Sequence, residues 1–191
     1  MKNVIKNTLV AGLVLVLSFP VLAQFYVGGN VGQADFEDMD DNPMSFELIS
    51  GYQFNDYFAL QISYLDLGEA EETGSFEDID FGFGLAVDGI NFTAVGAIPI
   101  SETVSLYGKL GYFMWDATGT IRLDDFSTSG STDGNDISYG LGVKWAVAEN
   151  LFVNLGFDRY EIEVSSEDSE EGDSESDFTI DNINLGLTYR F

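Results

Sequence analysis

The sequence predicts an all-β fold, an eight-stranded antiparallel up-and-down β-barrel that spans a membrane. Three observations lead to this prediction: short runs of alternating apolar and polar residues, connections that are alternately short and long, and strands on which an apolar face opposes a polar one. After the first residues, no run approaches the ~18 consecutive apolar residues of a helical span. A membrane crossing would therefore be made by strands, because a closed ladder of strands satisfies the backbone within the hydrocarbon layer.

The first residues of the chain have the features of an export signal. Two lysines precede an apolar run that closes in small residues at Ala23. An uncleaved membrane helix is the alternative, but a glycine and a proline interrupt the run, which is short for a ~20-residue span. The sequence thus predicts a cleaved signal peptide at 1–23 and a single barrel domain at 24–191.

The strands follow in order from the alternating runs of the barrel domain. Their predicted bounds are 25–32, 44–54, 57–67, 81–98, 103–115, 137–147, 151–163 and 178–191. Short polar turns follow the second, fourth and sixth runs at 55–56, 99–102 and 148–150. Long acidic or Ser/Thr/Gly-rich stretches follow the odd-numbered runs at 35–42, 68–80, 117–136 and 165–177. Short turns on the periplasmic side and long loops outside are the arrangement of an outer-membrane barrel.

The eighth run shows the alternation most clearly. One face holds Ile183, Leu185, Leu187, Tyr189 and Phe191, and the other holds Asn182, Asn184, Gly186, Thr188 and Arg190. A membrane barrel places such apolar faces outside, around a polar lumen, whereas a soluble barrel places them inside. Because a solvated sheet face is also polar, a soluble β-sandwich or a lipocalin-like barrel remains open on alternation alone.

Aromatic side chains favour the membrane barrel over the soluble one, because they fall at two levels. Near the short turns or the C-terminus lie Tyr52, Phe54, Phe58, Trp145, Tyr189 and Phe191, and toward the long loops lie Tyr64, Tyr112, Trp115, Tyr139 and Phe157. Two interfacial girdles of this kind are expected of a membrane barrel.

The composition excludes several classes of function. The chain contains no histidine and no cysteine, so it lacks the usual general base, the thiol nucleophile and the commonest metal ligands. We therefore predict no enzyme activity, no cofactor and no specific metal site. A formal net charge of −26 disfavours nucleic-acid binding. The acidity also has a plain interpretation, as a solvated surface that needs no partner.

Two short motifs carry a family resemblance. The stretch 106–112, LYGKLGY, and the stretch 185–191, LGLTYRF, resemble the membrane domain of outer membrane protein A and its small-barrel relatives. The resemblance implies a location in the outer membrane of a Gram-negative bacterium. It also implies that Leu187, Tyr189 and Phe191 resemble the signal read by the barrel-assembly machinery. The alternative explanation is that these three residues are simply the lipid-facing side chains of the last strand.

The polar faces predict a cluster of charges in the lumen. Counting from the short turns places Glu47, Lys109 and Asp158 at comparable heights. We hypothesise that Lys109 bridges the two acids and plugs the centre, since eight strands enclose a space that side chains can fill. Separately hydrated charges in a wet lumen are the alternative. Lys144 and Arg190 are the other charges predicted to face the lumen.

The stretch 165–177 holds a dense acidic run. Its acids are Glu167, Asp168, Glu170, Glu171, Asp173, Glu175 and Asp177. The stretch would lie near lipopolysaccharide phosphates, so one hypothesis is that Mg²⁺ or Ca²⁺ is weakly recruited to bridge the two sets of anions. Plain solvation with monovalent counterions is the other hypothesis.

Two functions are compatible with this fold. The first is a structural or surface-interaction barrel, with acidic loops outside and a lumen plugged by polar side chains. The second is a narrow porin-like channel for ions or small solutes. The two functions differ in whether side chains block the lumen, because an eight-stranded barrel has an interior only wide enough for side chains to fill. The predicted partners are outer-membrane lipid, lipopolysaccharide and, during biogenesis, the barrel-assembly machinery.

Overall fold

The computed structural model describes residues 24–37, 39, 41–76, 79–123, 126–165 and 175–191. The strands of this part are β1 (Gln24–Phe36), β2 (Met44–Asn55), β3 (Phe58–Phe76), β4 (Ile79–Pro99), β5 (Val104–Leu123), β6 (Phe126–Ala146), β7 (Leu151–Ser165) and β8 (Glu175–Arg190). Each strand pairs antiparallel with the next, and β1 pairs with β8, so the sheet closes into a barrel. The predicted eight-stranded barrel is confirmed. The predicted signal at 1–23 lies outside the described residues.

The three predicted short turns are present, and polar side chains hold two of them. Asn55 Oδ1 accepts a hydrogen bond from the Tyr57 amide at 2.8 Å in the β2–β3 turn. Ser101 Oγ accepts one from the Val104 amide at 3.0 Å in the β4–β5 turn. Such side-chain acceptors replace a backbone partner where the chain reverses. No helix within the described ranges is long and apolar enough to cross a membrane.

Strand β5 changes its sidedness partway along its length. In its first half the outward residues are apolar and exposed, namely Leu106, Leu110, Tyr112 and Met114. In its second half the inward residues are apolar and buried, namely Phe113, Trp115 and Ala117, while the outward residues are Asp116, Thr118, Thr120 and Arg122. The lower half therefore has the pattern of a lipid-facing strand and the upper half that of a strand in water.

The same reversal occurs on other strands at a similar height. On β8 the outward residues are apolar from Phe191 to Ile183 and become polar at Asp181. On β7 they are apolar up to Phe157 and become charged at Arg159. The outward apolar positions thus form a continuous belt, and the ~9–11 residues that a barrel strand needs to cross a bilayer match its height. We call this set of outward apolar residues the lipid belt.

The loops predicted after the third and fifth strands are wrong, because the described residues of both stretches are almost entirely strand. β3 and β4 stay paired up to Phe76 and Ile79, and β5 and β6 up to Leu123 and Phe126. Pairing with the neighbouring strand makes these stretches β-structure, although their local composition favours turns. The upper parts of β3 to β6 therefore form a four-stranded sheet above the lipid belt, which we call the sheet extension.

A bulge marks the base of the sheet extension on β3. The register with β4 shifts between Asp66 and Glu69, and Gly68 adopts a φ of 82°. A side chain at this backbone conformation would be strained, and a Cβ would also contact the Met44 carbonyl. Asp66 Oδ1 accepts a hydrogen bond from the Gly68 amide at 2.9 Å. Above the bulge the inward face of β3 continues at Ala70, which is buried.

The aromatic girdles are present with one correction. Tyr52, Phe54 and Phe58 form a continuous series of ring contacts on the outward face near the short turns. Tyr64, Tyr112 and Tyr139 are outward and exposed at the upper level. Trp115, which the girdle prediction placed among them, lies inside the barrel at 2% exposure. Its position on β5 has the parity of Lys109 and not that of Tyr112, so the pleat turns it inward.

Candidate functional site

The candidate site is the lumen, where the inward side chains of the closed barrel meet. At mid-height these side chains are polar and are buried or nearly buried, and each of the eight strands contributes at least one. They include Asn30, Glu47, Ser63, Asn91, Lys109, Ser138, Asp158 and Asn184. A barrel of this strand number has an interior just wide enough for such side chains to fill.

Lys109 on β5 and Asp158 on β7 form an ion pair across the lumen. The Lys109 ammonium lies 2.7 Å from Asp158 Oδ1, and it also donates to Oδ2 at 2.7 Å. Asn184 Nδ2 donates a further hydrogen bond to Asp158 Oδ2 at 2.8 Å. Between the two strands, Gly140 on β6 leaves the space that this carboxylate needs, since a Cβ there would overlap Asp158 Oδ1. Removal of these charges from water is costly unless they are paired and hydrogen-bonded, as they are here.

Glu47 on β2, the second acid of the predicted cluster, is held by a different partner. Its Oε2 accepts a hydrogen bond from Asn30 Nδ2 at 2.6 Å. Within the described residues, the salt bridges of the barrel do not include one between Glu47 and Lys109. The structure therefore brings Lys109 and Asp158 together directly, and it places Glu47 in the same polar layer on an amide partner.

Further hydrogen-bonded pairs complete the polar layer. Ser45 Oγ donates to Asn182 Oδ1 at 2.6 Å, and Asn154 Nδ2 donates to Thr188 Oγ1 at 2.6 Å. Asn91 and Ser138 are hydrogen-bonded to each other at 2.9 Å. Since the partners come from different strands, each pair crosslinks the barrel from within. We call this set, with Lys109, Asp158, Asn184, Glu47 and Asn30, the polar layer.

An apolar layer lies in the lumen above the polar layer, and the sequence analysis does not predict it. Its buried members are Ala34, Phe36, Leu65, Leu67, Ala70, Val87, Phe113, Trp115, Ala117, Tyr160, Ile162 and Ile180. Phe113 and Tyr160 pack with ring centroids 5.0 Å apart. Asp136 Oδ2 accepts from Trp115 Nε1 at 2.8 Å and from the Glu163 amide at 3.1 Å. The signal was present in the sequence, because inward positions turn apolar toward the upper end of β5 and β7.

Below the polar layer, two tyrosines narrow the lumen. Tyr26 packs with Ile49, Ala59 and Val95, and Tyr107 packs against this cluster. The cavity left between Tyr107 and the polar layer measures only about 30 Å³. Glycines make room for Tyr107, since a Cβ at Gly142 or Gly156 would meet its hydroxyl at 2.5 and 2.7 Å. Beneath these rings the lumen opens into a larger cavity at the short-turn end, where Lys144 and Arg190 lie.

On the outer surface, one cation crosslinks the sheet extension. Arg122 on β5 donates to Glu71 Oε1 at 2.5 Å and to Glu69 Oε1 at 3.5 Å, both on β3. The intervening strand β4 carries glycine at positions 82 and 84, so the side chains cross over it without obstruction. The hydrogen bond to Glu71 raises the pKa of Arg122 above its ordinary value. All three residues are exposed, so the interaction is worth little energetically and mainly aligns the strands.

The remaining predicted residues have the following positions. Leu187, Tyr189 and Phe191 face outward and are exposed. Phe191 donates its backbone amide to the Phe25 carbonyl at 2.8 Å, which ties the C-terminus to the start of β1. In the acidic stretch, Glu167, Asp168, Glu170, Glu171 and Asp173 lie outside the described residues. Glu175 and Asp177 lie at the start of β8, where their backbones pair with β7. Among the residues that can be described, no cluster of three potential ligands suits a metal ion.

Comparison with known proteins agrees with this geometry. Outer membrane protein A of Escherichia fergusonii is 24% identical over 204 residues, which cover 97% of this chain and 56% of that protein. Outer membrane protein A of Klebsiella pneumoniae is 25% identical over 149 residues, covering 70% of this chain and 42% of that protein. The chain thus spans about half the length of the curated relatives that it matches.

Among solved structures, Neisserial surface protein A superposes with a TM-score of 0.60 at 17% identity, covering 90% of this chain and 100% of that one. At this identity the likeness shows a shared fold alone. The family model for the outer membrane protein beta-barrel domain matches residues 9–191. With the closed eight-stranded barrel and its lipid belt, this match places the protein in the outer membrane. The chain belongs to the family of outer membrane protein β-barrel domains.

Proposed function

We propose that the protein is a non-conducting barrel, and that its role is to hold the sheet extension at the cell surface as an interaction platform. One observation carries this proposal: two successive layers of side chains occupy the lumen. The polar layer fills the barrel at mid-height, and the apolar layer lies above it. The proposal assigns no catalytic activity, since the chain contains neither histidine nor cysteine.

The two layers oppose conduction for different physical reasons. An ion entering the polar layer has to displace the Lys109–Asp158 pair, whose charges are held at 2.7 Å and hydrogen-bonded by Asn184. An ion that passes this level then meets a dry layer that contains Phe113 and Trp115, at 0% and 2% exposure. Transfer of a charge into apolar surroundings costs many kcal/mol, so the second layer is the stronger barrier.

Planar-bilayer recording tests the proposal against its alternative, a narrow porin-like channel. We expect the refolded barrel to give no stable single-channel steps at neutral pH. The variant Arg122→Gln serves as a matched control, because it removes a cation outside the lumen and should be equally silent. Folded protein in each recording is verified by its gel mobility before and after boiling. Large and stable conductance steps from the folded parent would contradict the proposal.

The proposed interaction platform is acidic and polar on its outer face. Asp116, Thr118 and Thr120 line this face on β5, and serines alternate along the paired part of β6. We infer that it lies among the lipopolysaccharide headgroups, with Mg²⁺ or Ca²⁺ bridging the acidic stretch 165–177 to lipid phosphates. Carboxylate oxygens suit these hard cations. Calorimetric titration of Ca²⁺ into the refolded barrel, with and without lipopolysaccharide and at two salt concentrations, tests this. No lipid-dependent heat at either salt level would leave only solvation by monovalent ions.

We further infer that Phe191, with Tyr189 and Leu187, is the signal for the barrel-assembly machinery. All three side chains are outward and exposed, so none of them is needed to pack the lumen. Deletion of Phe191 should lower assembly in cells more than it lowers refolding in detergent, because refolding requires no recognition. Equal losses in the two assays would favour a purely structural role for this residue. The variant Leu185→Ala, on the same face but farther from the terminus, provides the comparison.

A further inference from the structure

The short-turn end of the lumen contains a cavity of about 660 Å³. Tyr107 and Ser105 line its inner part, and the turns at 99–103 and 146–149 form its rim. Because the short turns of an outer-membrane barrel lie on the periplasmic side, this cavity opens to the periplasm. We call it the mouth cavity. Tyr107 lines both this cavity and the small cavity of about 30 Å³ below the polar layer, and Lys144 also lines both.

Two cations lie on the inner wall of the mouth cavity, and both are close to one aromatic ring. The Arg190 guanidinium lies 4.7 Å from the centre of the Phe152 ring, and the Lys144 ammonium lies 5.8 Å from it. The three side chains belong to the adjacent strands β6, β7 and β8. Cation–π contact stabilises each charge somewhat, but it leaves the two positive charges close together.

Neither cation has a carboxylate partner in the described part of the chain. Lys109, Arg122 and Arg159, the other cations of that part, each form a salt bridge. Lys144 and Arg190 form none, although the chain contains 33 acidic residues. Moreover, Arg190 Nε is buried and has no hydrogen-bond partner there. A buried donor on a charged group without a partner is destabilising, and it leaves the guanidinium with unused hydrogen-bonding capacity.

The carboxylates nearest to the mouth cavity lie on its rim. Asp56, Glu102 and Glu149 are in the short turns and are exposed to solvent. Water screens them strongly, so they weaken the attraction of the inner cations for an anion without replacing it. The cavity thus has a positive inner wall and a hydrated negative rim.

We propose that the mouth cavity binds a phosphate-type oxyanion between Lys144 and Arg190. A guanidinium offers donors in a planar fork and an ammonium adds a mobile point charge, and together they match a tetrahedral oxyanion. The hydroxyls of Ser105 and Tyr107 line the same space and can donate to the remaining oxygens. A volume of about 660 Å³ exceeds the size of inorganic phosphate, so a phosphate that carries a substituent also fits. Free phosphate and a lipid headgroup share this chemistry. The proposal does not depend on whether the lumen conducts.

Titration of inorganic phosphate into the folded full barrel tests the proposal. The barrel is refolded in an uncharged maltoside detergent, and binding is followed by calorimetry against sodium chloride of equal ionic strength. We expect saturable binding of one phosphate per barrel. A short-chain phosphatidylglycerol added afterwards identifies the source: displacement of phosphate indicates a lipid headgroup, and persistence of phosphate indicates the free ion. Absence of saturable binding in the parent protein would overturn the proposal.

Three variants make the test specific to the mouth cavity. Lys144→Gln removes one charged donor and should weaken phosphate binding about tenfold. Glu149→Gln removes a rim carboxylate without touching the inner wall, and it should strengthen binding about two- to threefold. Arg122→Gln removes a cation from the opposite end and should leave the affinity unchanged. If Lys144→Gln bound phosphate as well as the parent did, the site would not be this cavity. If Lys144→Gln failed to fold, an unchanged affinity in Glu149→Gln would overturn the proposal.

Discussion

At the scale of single residues, the barrel depends on contacts that cross the lumen. Asp158 illustrates this, because one of its oxygens accepts from both Lys109 and Asn184, and Gly140 leaves the space beside it. Four strands, β5 to β8, therefore contribute to the surroundings of one carboxylate. Removing one partner of such a buried charge is strongly destabilising, because the charge is then left in the interior without compensation.

The first prediction concerns the cation of this pair. Lys109→Met should lower the free energy of unfolding by about 3–5 kcal/mol, because the Asp158 carboxylate would stay buried with only an amide partner. Replacing both members, as in Lys109→Met with Asp158→Leu, should recover much of this loss, since an apolar pair leaves no uncompensated charge. Equilibrium unfolding in urea with lipid vesicles measures both. An unchanged midpoint for the single variant would mean that the ion pair does not contribute to stability.

The second prediction compares Gly140, which lies against a lumen side chain, with Gly96, which has open space beside it. Gly140→Ala should destabilise the barrel by about 1–3 kcal/mol, because the added methyl group overlaps the Asp158 carboxylate and the Phe157 carbonyl. Gly96→Ala is the matched control, since a Cβ there meets nothing within 4 Å. It should be neutral or slightly stabilising, because alanine reduces the entropy of the unfolded chain. Equal unfolding midpoints for the two variants would show that the space at position 140 is not needed.

At the scale of elements, the strands are longer than the membrane requires. β5 runs over 20 residues and β6 over 21, about twice the ~9–11 residues of a bilayer crossing. The excess belongs to the sheet extension, whose strands pair with one another and not with β2 or β7 at their upper ends. The extension thus depends on the barrel for its position, while the lipid belt and the polar layer lie below it.

The third prediction follows from this one-sided dependence. Thr118 and Ser131 are paired across β5 and β6, so residues 119–130 can be replaced by an Asn-Gly turn. The shortened barrel should fold and keep the heat-dependent gel mobility of the parent, because both lumen layers are intact. Phe113 and Asp136 are also paired, so a second variant can place the same turn directly between them. This variant loses Trp115 and Ala117 from the apolar layer and should be strongly destabilised. Failure of the shallow variant to fold would show that the extension stabilises the barrel.

The sequence predicted the lower halves of the strands better than the upper halves. Period-two alternation and short turns placed Leu185, Leu187 and Tyr189 on the lipid side correctly. The sequence predicts a loop at 117–136 because Ser, Thr, Gly and Asp dominate this stretch, and these residues favour turns. Its strand character comes from pairing with the neighbouring strand, which local composition does not encode.

The lumen could be predicted in part for a similar reason. Heights counted from the short turns suffice to bring Lys109 and Asp158 to one level, since both strands rise by the same amount per residue. They do not reveal that Glu47 takes Asn30 as its partner, because that depends on side-chain geometry across β1 and β2. The apolar layer corresponds to apolar residues at the inward positions 113 and 115 of β5, and the girdle pattern predicts Trp115 on the outer face instead.

At the scale of the whole molecule, closure is the property that joins these parts. Within the lipid belt every strand has a neighbour on both sides, with β1 and β8 paired from Tyr26 and Arg190 to Phe36 and Ile180. A closed ladder has no edge from which to fray, so the barrel unfolds as a unit and resists detergent.

The fourth prediction tests this closure. The folded protein should migrate differently on a detergent gel before and after boiling, and its circular-dichroism spectrum should show β-structure that is lost only on heating. Deletion of β8, residues 175–191, should abolish the difference in mobility, because it opens the ladder. Identical mobility of the intact protein in both conditions, together with a helical spectrum, would contradict the fold.

The reversal of sidedness along β5, β7 and β8 also fixes how deeply the barrel sits in a bilayer. If it moved inward by two residues, Asp116, Arg159 and Asp181 would enter the hydrocarbon edge, and if it moved outward by as much, apolar rings of the lipid belt would enter water. Each displacement is opposed, because charged residues become more costly with depth. The barrel therefore has one preferred hydrophobic thickness, and a thicker bilayer has to thin around it. A surface protein with this property would collect in regions where the thickness of the bilayer matches its lipid belt.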